Sequence, residues 1–575
     1  MKQRVAVVTY ETPHARGGGI AAVLGHQPAL LRTVLGQSVP VITPRHRKAA
    51  DMKRLPNDEI RTLGSLDVRC PVGQVVMEVQ FYNNTNTYFL DVADPRLTPQ
   101  AFPGDPTPYS IKIPGTNAAD VLLRDALLFG VGVPRALKII DPDTESWILL
   151  LQDWQAATVA FCSTEHALFL TLHNSYDSGA VPDRTLRDYD IDPALCPGPV
   201  GTNAGSVLER AIPRCRTPIF TVSQQFAADL TTDTFQTRVM ADHLQRLLSA
   251  RGVQGIDNGP FVASPPEFFA ALDPPDPAKV KAWKSGQRAL ATEALREFEP
   301  GPGKPRWGDT RRFDFGSHVW FIMAGRDDTR QKGYDVAASA VRVYLSRGGK
   351  AQFLFYPIPG DEGADGLSFL ERLALDFPEH VLVFPGFFPG FEAVLRGASF
   401  GLMPSLYEPF GMANEFYLKG VAVVARTTGG IIQQVVPLRA CGSFSAAVWD
   451  KCASYYSFSS PPTGILFREA DDISARVIDW KRINTASYLT DGRGRDRLQD
   501  RENLPLFQSM SEELCIGIAD AVRLSTENPQ LYFSMIIAGA LHVQRSFSWV
   551  QNANQYARFM QGAAPQAKAV YVGGV

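Results

Sequence analysis

The chain has 575 residues, 45% of them hydrophobic and 20% charged, with a formal net charge of −2. That length exceeds what one hydrophobic core supports, so two or more domains are expected. The near-neutral balance gives no nucleic-acid footprint, and no run reaches the ~18 apolar residues of a membrane span. The seven cysteines are scattered, without a CxxC or Cys/His cluster. They read as reduced thiols of a cytoplasmic protein, with no zinc site. The start, MKQRVAVVTYE, has neither the apolar core nor the small-residue cleavage site of a signal peptide.

In chain order, VAVVTY (residues 5–10) reads as a buried strand. Gly17, Gly18 and Gly19 follow. Ile20, Val23, Leu24, Leu31 and Leu35 then recur at roughly helical spacing, broken by Pro28. Strand, glycine loop and helix open a βαβ unit. The glycines suit either a phosphate cradle or a tight turn, since glycine permits both positive φ and close backbone approach. Residues 40–120 and 176–216 are Pro-rich and polar, and read as loop-rich insertions on an α/β core. A helix is predicted over residues 279–298, closed by EPGPGKP, which puts the main domain boundary near 299–316. Beyond it, HVWFIMAGR, AQFLFYPI, HVLVFPG, FGLMPS and VAVVART alternate with helical stretches. That alternation predicts a mainly parallel sheet with helices on both faces, and such sheets bind ligands at the C-terminal strand ends. The amphipathic SFSWVQNANQYARFM predicts a last helix.

Four polar loops carry the candidate chemistry, each after a predicted strand. GRDDTRQKGY sets Arg326 and Lys332 before a helix. Two cations there suit a phosphate-bearing ligand; an exposed polar turn is the plain alternative. PSLYEPFGMANEFYLKG holds Glu408, an acceptor for sugar hydroxyls. Gly411 opens the chain, and Glu415 lies seven residues after Glu408, as a ligand group or a helix-surface carboxylate. ARTTGGIIQQVV sets Thr428, Gly429 and Gly430 in a turn that is either an anion nest or an ordinary βα turn. TLHNSYDSG sets His173 at a strand end, to hydrogen-bond a substrate or to serve structure.

RGGGI (with Glu11 and Pro13 before it, Gly25 and Pro28 after it), DWQAA, TLHN, FTVSQQFAADL, GIDNG, GR…QKG, PSLYEPFG, RTTGG, TGILF and FSW occur in this order. Over most of its length the chain thereby resembles the glycogen and starch synthase group of glycosyltransferases. The resemblance implies the GT-B fold: an α/β protein of two Rossmann-like domains facing a central cleft, with a C-terminal helix crossing back. It implies an acceptor-side domain over 1–305, a nucleotide-sugar domain over 306–545 and the returning helix and tail over 546–575. It implies a retaining enzyme that moves glucose from ADP-glucose or UDP-glucose to a glucan or oligosaccharide, with no metal and no cofactor beyond that donor. By the same resemblance, Arg326 and Lys332 stabilise the departing diphosphate, His173 lies beside the transferring sugar, and Glu408 orients its hydroxyls. Arg16, Gly18, Gly19, Phe410, Gly411, Met412, Glu415, Thr428, Gly429 and Gly430 complete the donor site.

The departures are specific. Arg16 replaces the family's lysine, and Ala22 stands where the family has an Asp. SYDSG replaces its Tyr-Gln-Gly, and Pro260-Phe261 its Ile-Asp. Arg326 and Lys332 lie one residue further apart than in the bacterial synthases, and the segment from Glu408 to Gly420 is one residue shorter. A small sugar, glycoside or polyol acceptor competes with a glucan, and a GT-B-shaped binding protein without turnover is the other class. A phosphorylase is disfavoured, because no pyridoxal-phosphate lysine motif is present.

Overall fold

The computed structural model describes residues 3–562, except 98–99, 112, 114, 304, 318, 361, 387 and 490–496. The chain divides into two compact units. Unit 1 comprises Met1–Gly259 with Ser548–Val575, and unit 2 comprises Pro260–Phe547.

Apolar, β-branched runs make the unit 1 strands: β1 (Arg4–Val8), β2 (Val41–Pro44), β3 (Ile60–Cys70), β4 (Gly73–Tyr82), β5 (Thr87–Val92), β6 (Trp147–Gln152) and β7 (Ala167–Leu172). A separate ribbon pairs β8 (Val181–Pro182) with β9 (Ala204–Gly205), and β10 (Ile219–Thr221) and β11 (Val253–Gly255) complete the main sheet. Its nine strands run β11-β10-β7-β6-β1-β2-β5-β4-β3. All neighbours from β11 to β5 are parallel, and β4 and β3 are antiparallel. Strand order reverses between β1 and β6, the point at which open α/β sheets accept ligands.

Two expectations are corrected in unit 1. Residues 60–92 are not a loop insertion: the hairpin of β3 and β4 extends the sheet. Val68, Cys70, Val75, Met77 and Val79 are buried, while intervening residues such as Arg69, Gln74 and Val76 face solvent, so the stretch looks polar in sequence. Nor does Pro28 break a helix. The break falls between Gly19–Leu24 and Gln27–Leu35, and Pro28 stands in the first turn of the second helix, where its missing N–H costs nothing.

The helix Trp549–Gln561 packs on Gln27–Leu35 within unit 1. Tyr556 OH lies 3.1 Å from Thr171 Oγ1, and Asn552 Nδ2 donates to the Asp257 carbonyl at 3.1 Å. The Trp549 ring stacks on His26 at 5.1 Å. A Cβ on Gly259 would lie 2.5 Å from that indole, which is why GIDNG ends in glycine.

Unit 2 holds β12 (Trp320–Arg326), β13 (Gln352–Ile358), β14 (Val381–Val383), β15 (Phe400–Met403), β16 (Ala422–Arg426) and β17 (Gly464–Phe467). The six strands run β14-β13-β12-β15-β16-β17, all parallel. This is the dinucleotide-fold order, with its switch point between β12 and β15. The unit begins at Pro260 rather than near 299–316. The helix Pro277–Glu297 belongs to it: Ala291 and Leu295 join its core, and Lys284 Nζ donates to the carbonyls of Gly420 (2.6 Å) and Arg396 (2.7 Å). The Pro/Gly break therefore follows the first long helix of unit 2 instead of preceding the unit. Among the described residues, no helix is long and apolar enough to cross a membrane.

Candidate active site

In unit 2, β12 and β15 end side by side at the switch point, and the loops that leave them interlock. Leu406 N donates to the Gln331 carbonyl at 2.7 Å. Gly333 has φ +70, and a Cβ there would lie 2.4 Å from the Pro404 carbonyl oxygen. Only glycine satisfies both the left-handed backbone and the contact. The interlock sets Lys332 Nζ 2.7 Å from Glu408 Oε2. Ser405 Oγ donates to the same oxygen at 3.0 Å, and Gln331 Nε2 reaches Oε1 at 3.3 Å. Glu408 is only 5% exposed. Arg326, at the end of β12, is exposed. The two predicted cations therefore differ in burial: Lys332 is partly buried against the predicted carboxylate, and Arg326 is exposed.

The TTGG turn packs on the same loop. Gly430 N donates to the Glu408 carbonyl at 2.9 Å. Gly429 has φ +49, and a Cβ on it would lie 1.7 Å from that carbonyl oxygen. The anion-nest reading is corrected for Gly430, because its amide already has an acceptor. The glycines let two backbones touch, and Thr428 beside them is buried. Gln434 pins the other end: Ala413 N donates to its Oε1 at 3.0 Å, and its Nε2 donates to the Phe410 carbonyl at 3.0 Å, across Gly411. Beneath lies Arg426, donating to the Leu406 carbonyl at 2.8 Å and paired with Glu469. Burial raises the Glu469 carboxyl, but the Arg426 guanidinium overrides it and holds it at about 2.

Phe410 is buried against Phe261 (6.4 Å) and Phe547 (5.8 Å), and Met412 packs on the unit 2 core. Glu415 is not a helix-surface carboxylate. It is buried, Phe261 N donates to its Oε1 at 3.0 Å, and Oε2 has no partner. Burial pushes its carboxyl up to about 7.

In unit 1, β1 runs into Glu11, whose Oε1 accepts from Gly17 N (3.0 Å), Gly18 N and Ala21 N (3.1 Å). Burial raises the Glu11 carboxyl, while these amides and the Tyr109 hydroxyl lower it. The expectation for Gly18 is thus corrected: its N–H points to the chain's own carboxylate. Gly17 lies under Tyr109, where a Cβ would be 2.6 Å from the ring. Gly19 alone is open; it is exposed and a Cβ would meet nothing within 4 Å. Arg16 is exposed and pairs with Asp51 at 3.4 Å.

From β6 and β7 come Asp153 and His173. Asp153 has φ +59, uncommon for a residue with a side chain. Its Oδ1 accepts from His173 N at 2.6 Å and its Oδ2 from Asn174 Nδ2 at 3.2 Å. Burial pushes its carboxyl up to about 7. His173 Nε2 lies 2.7 Å from Gln152 Oε1, and burial pushes the imidazole down to about 3, so it is neutral at physiological pH. Glu11, Gln152, Asp153, Arg426 and Gln434 were not among the candidates read from sequence. All but Gln434 share one signal: a polar residue at or just past the end of an apolar strand run. Among the described residues, no group of three or more His, Cys, Asp or Glu side chains is placed to hold a metal ion.

No protein-family model matches the chain. It is 29% identical over 457 residues to a glycogen synthase of Myxococcus xanthus, covering 74% of this chain and 84% of that one. It is 26% identical over 453 residues to a glycogen synthase of Geobacillus thermodenitrificans, covering 73% and 81%. Among solved structures, it is similar to the catalytic domain of starch synthase IV from Arabidopsis thaliana bound to ADP and acarbose. The TM-score is 0.64 at 16% identity, over 98% of this chain and 99% of that one.

Proposed function

We propose that the chain, similar to glycogen synthases and to a starch synthase structure, is a nucleotide-sugar glycosyltransferase that moves glucose from ADP-glucose or UDP-glucose to a glucan or oligosaccharide, with retention at the anomeric carbon. The observation that carries this reading is the Lys332–Glu408 pair at the β12/β15 switch point. A diphosphate leaving group gains negative charge as the glycosidic bond breaks. Fixed cations stabilise that charge more in the transition state than in the ground state. Lys332 and Arg326 take this role. Glu408, held by Lys332, Ser405 and Gln331, accepts hydrogen bonds from hydroxyls of the transferring sugar.

The unpartnered Glu415 Oε2 suits the hydroxyl-rich ribose of the donor, with Phe410, Gly411, Met412, Thr428, Gly429 and Gly430 shaping that side. In unit 1, the open Gly19 amide and Arg16 are assigned to the phosphates, and His173 to the sugar. Gly18 serves through Glu11 rather than by touching the donor. Ala22, where the resemblance expects an Asp, favours a second reading in which the acceptor is a small sugar, glycoside or polyol.

The test is release of nucleoside diphosphate from ADP-glucose and UDP-glucose, with and without glycogen, maltooligosaccharides and small glycosides. Polymer-length product with glycogen and an α-linkage by NMR are expected. Activity confined to small acceptors selects the second reading. No release with any acceptor, from protein that still binds the diphosphate, overturns both.

A further inference from the structure

Gln152 ends β6, and its side chain is buried, 1% exposed. Five apolar residues, Trp147 to Leu151, precede it in that strand, so a sixth would satisfy the local pattern. Its Oε1 lies 2.7 Å from His173 Nε2, while its own Nε2 is buried without a partner. An orphaned buried donor costs about 1–3 kcal/mol, so the contact of its oxygen with His173 is, among the described residues, the one hydrogen bond that the Gln152 amide makes against that cost. The next residue, Asp153, holds the His173 backbone amide at 2.6 Å and the Asn174 side chain. Two consecutive side chains at the end of β6 therefore fix His173 from both its ring and its backbone.

An amide oxygen only accepts, so the ring nitrogen facing it must carry the hydrogen. A neutral imidazole has one N–H, and the other nitrogen is then a bare acceptor. We propose that Gln152 is a positioning residue that locks His173 in the Nε2–H tautomer, so that Nδ1 receives a hydrogen from a hydroxyl of the transferring sugar instead of donating one. The catalytic use of this lock rests on the reading of His173 as the residue beside the sugar; the lock itself does not. A sugar hydroxyl held this way is a donor toward His173 and keeps its oxygen lone pairs for other partners. The site thus discriminates against donors whose corresponding position can only accept.

The test separates the lock from the activity. In protein labelled with 15N-histidine, with His173→Gln as the assignment control, long-range correlations report which ring nitrogen is protonated. The native protein is expected to show Nε2–H. Gln152→Glu sets a carboxylate against the ring, which keeps a hydrogen on Nε2 but raises the imidazole pKa, so kcat is expected to approach the native value only at the alkaline end of the pH profile, where Nδ1 is bare. Gln152→Leu removes the acceptor; mixed tautomers and a loss on the order of tenfold in kcat, the worth of about one hydrogen bond, are expected, with little change in melting temperature. A loss in Gln152→Glu equal to that in Gln152→Leu at every pH would overturn the proposal, as would a native Nδ1–H tautomer or a Gln152→Leu enzyme with native kcat. If the native protein shows Nε2–H but releases no diphosphate, the tautomer lock stands and the functional reading falls. Should Gln152→Leu fail to fold, the native spectrum and Gln152→Glu still decide.

Discussion

Gly429→Ala is the sharpest perturbation the structure offers. Gly429 has φ +49, and a Cβ there would lie 1.7 Å from the Glu408 carbonyl oxygen. Backbone blocks that position, so no side chain can rotate away and the two loops must part. Left-handed backbone costs a residue with a side chain about 1–2 kcal/mol. Losing the Gly430 N–H to Glu408 hydrogen bond (2.9 Å) costs about 1 kcal/mol more. Forcing the packed loops apart adds about 1–3 kcal/mol. Together this is about 3–6 kcal/mol, or a fall of roughly 6–12 °C in the unit 2 transition at ~2 °C per kcal/mol for a domain of this size. Differential scanning calorimetry reads it, with Gly19→Ala as the control. A Cβ on Gly19 meets nothing within 4 Å, so that variant is expected to keep the native melting temperature and lose donor affinity. The two glycines then separate folding from binding. Should Gly429→Ala melt within about 1 °C of the native protein and retain turnover, the close approach of the TTGG turn to the Glu408 loop is refuted.

Glu408→Gln removes the carboxylate that Lys332 Nζ contacts at 2.7 Å, so ADP or UDP is expected to bind more tightly while kcat falls at least about a hundredfold; titration calorimetry beside steady-state kinetics checks it, and unchanged or weaker diphosphate binding counts against the pairing. The Glu415 carboxyl is raised to about 7 by burial, so the folded state binds more protons than the unfolded state above pH 4.5. Its contribution to stability is full below that pH and is lost as pH rises through about 7. A Glu415→Gln protein is therefore expected to show a flatter stability profile between those limits in denaturant titrations, and an unaltered profile contradicts the burial argument. Trp549→Ala, which empties the space between His26 and Gly259, is expected to destabilise unit 1 by about 3–5 kcal/mol and to expose the terminal helix to limited proteolysis; resistance equal to native would show that the indole is not what holds it.

Where strands were buried on both faces, the sequence already displayed them: β12, β13, β15 and β16 are continuous apolar runs and lie where expected. The β3–β4 hairpin was hidden because one face is wet, and its alternation is diluted by Arg61, Asp67, Arg69 and Gln74. Local composition misplaces the unit boundary because it marks where a helix stops, not which core the helix joins. Pro277–Glu297 is amphipathic in any setting, and only its tertiary contacts, Ala291 and Leu295 in the core and Lys284 on the Gly420 and Arg396 carbonyls, assign it to unit 2. At the site, the identities of Lys332 and Glu408 were legible but their mutual pairing was not, because it depends on two loops far apart in sequence. Glu11 is the clearest case of information absent from sequence alone. Nothing local says that one carboxylate oxygen gathers the amides of Gly17, Gly18 and Ala21.

That last arrangement changes how glycine-rich loops of this kind are understood. A run of three glycines after a strand suggests three amides offered to a ligand, yet each glycine here answers a different demand. Gly17 leaves room for the Tyr109 ring, Gly18 gives its N–H to Glu11, and Gly19 alone is unobstructed. The TTGG turn repeats the lesson in unit 2, where Gly429 and Gly430 admit the Glu408 and Phe410 carbonyls. In both units the loop beside the switch point is first satisfied from within, by Glu11 in one and by the Glu408 backbone in the other. Internal satisfaction fixes a loop before any ligand arrives, so little reorganisation is needed when charge develops on the reacting groups. Preorganisation of that sort is what electrostatic catalysis requires, and it assigns part of the glycine content to shape rather than to contact.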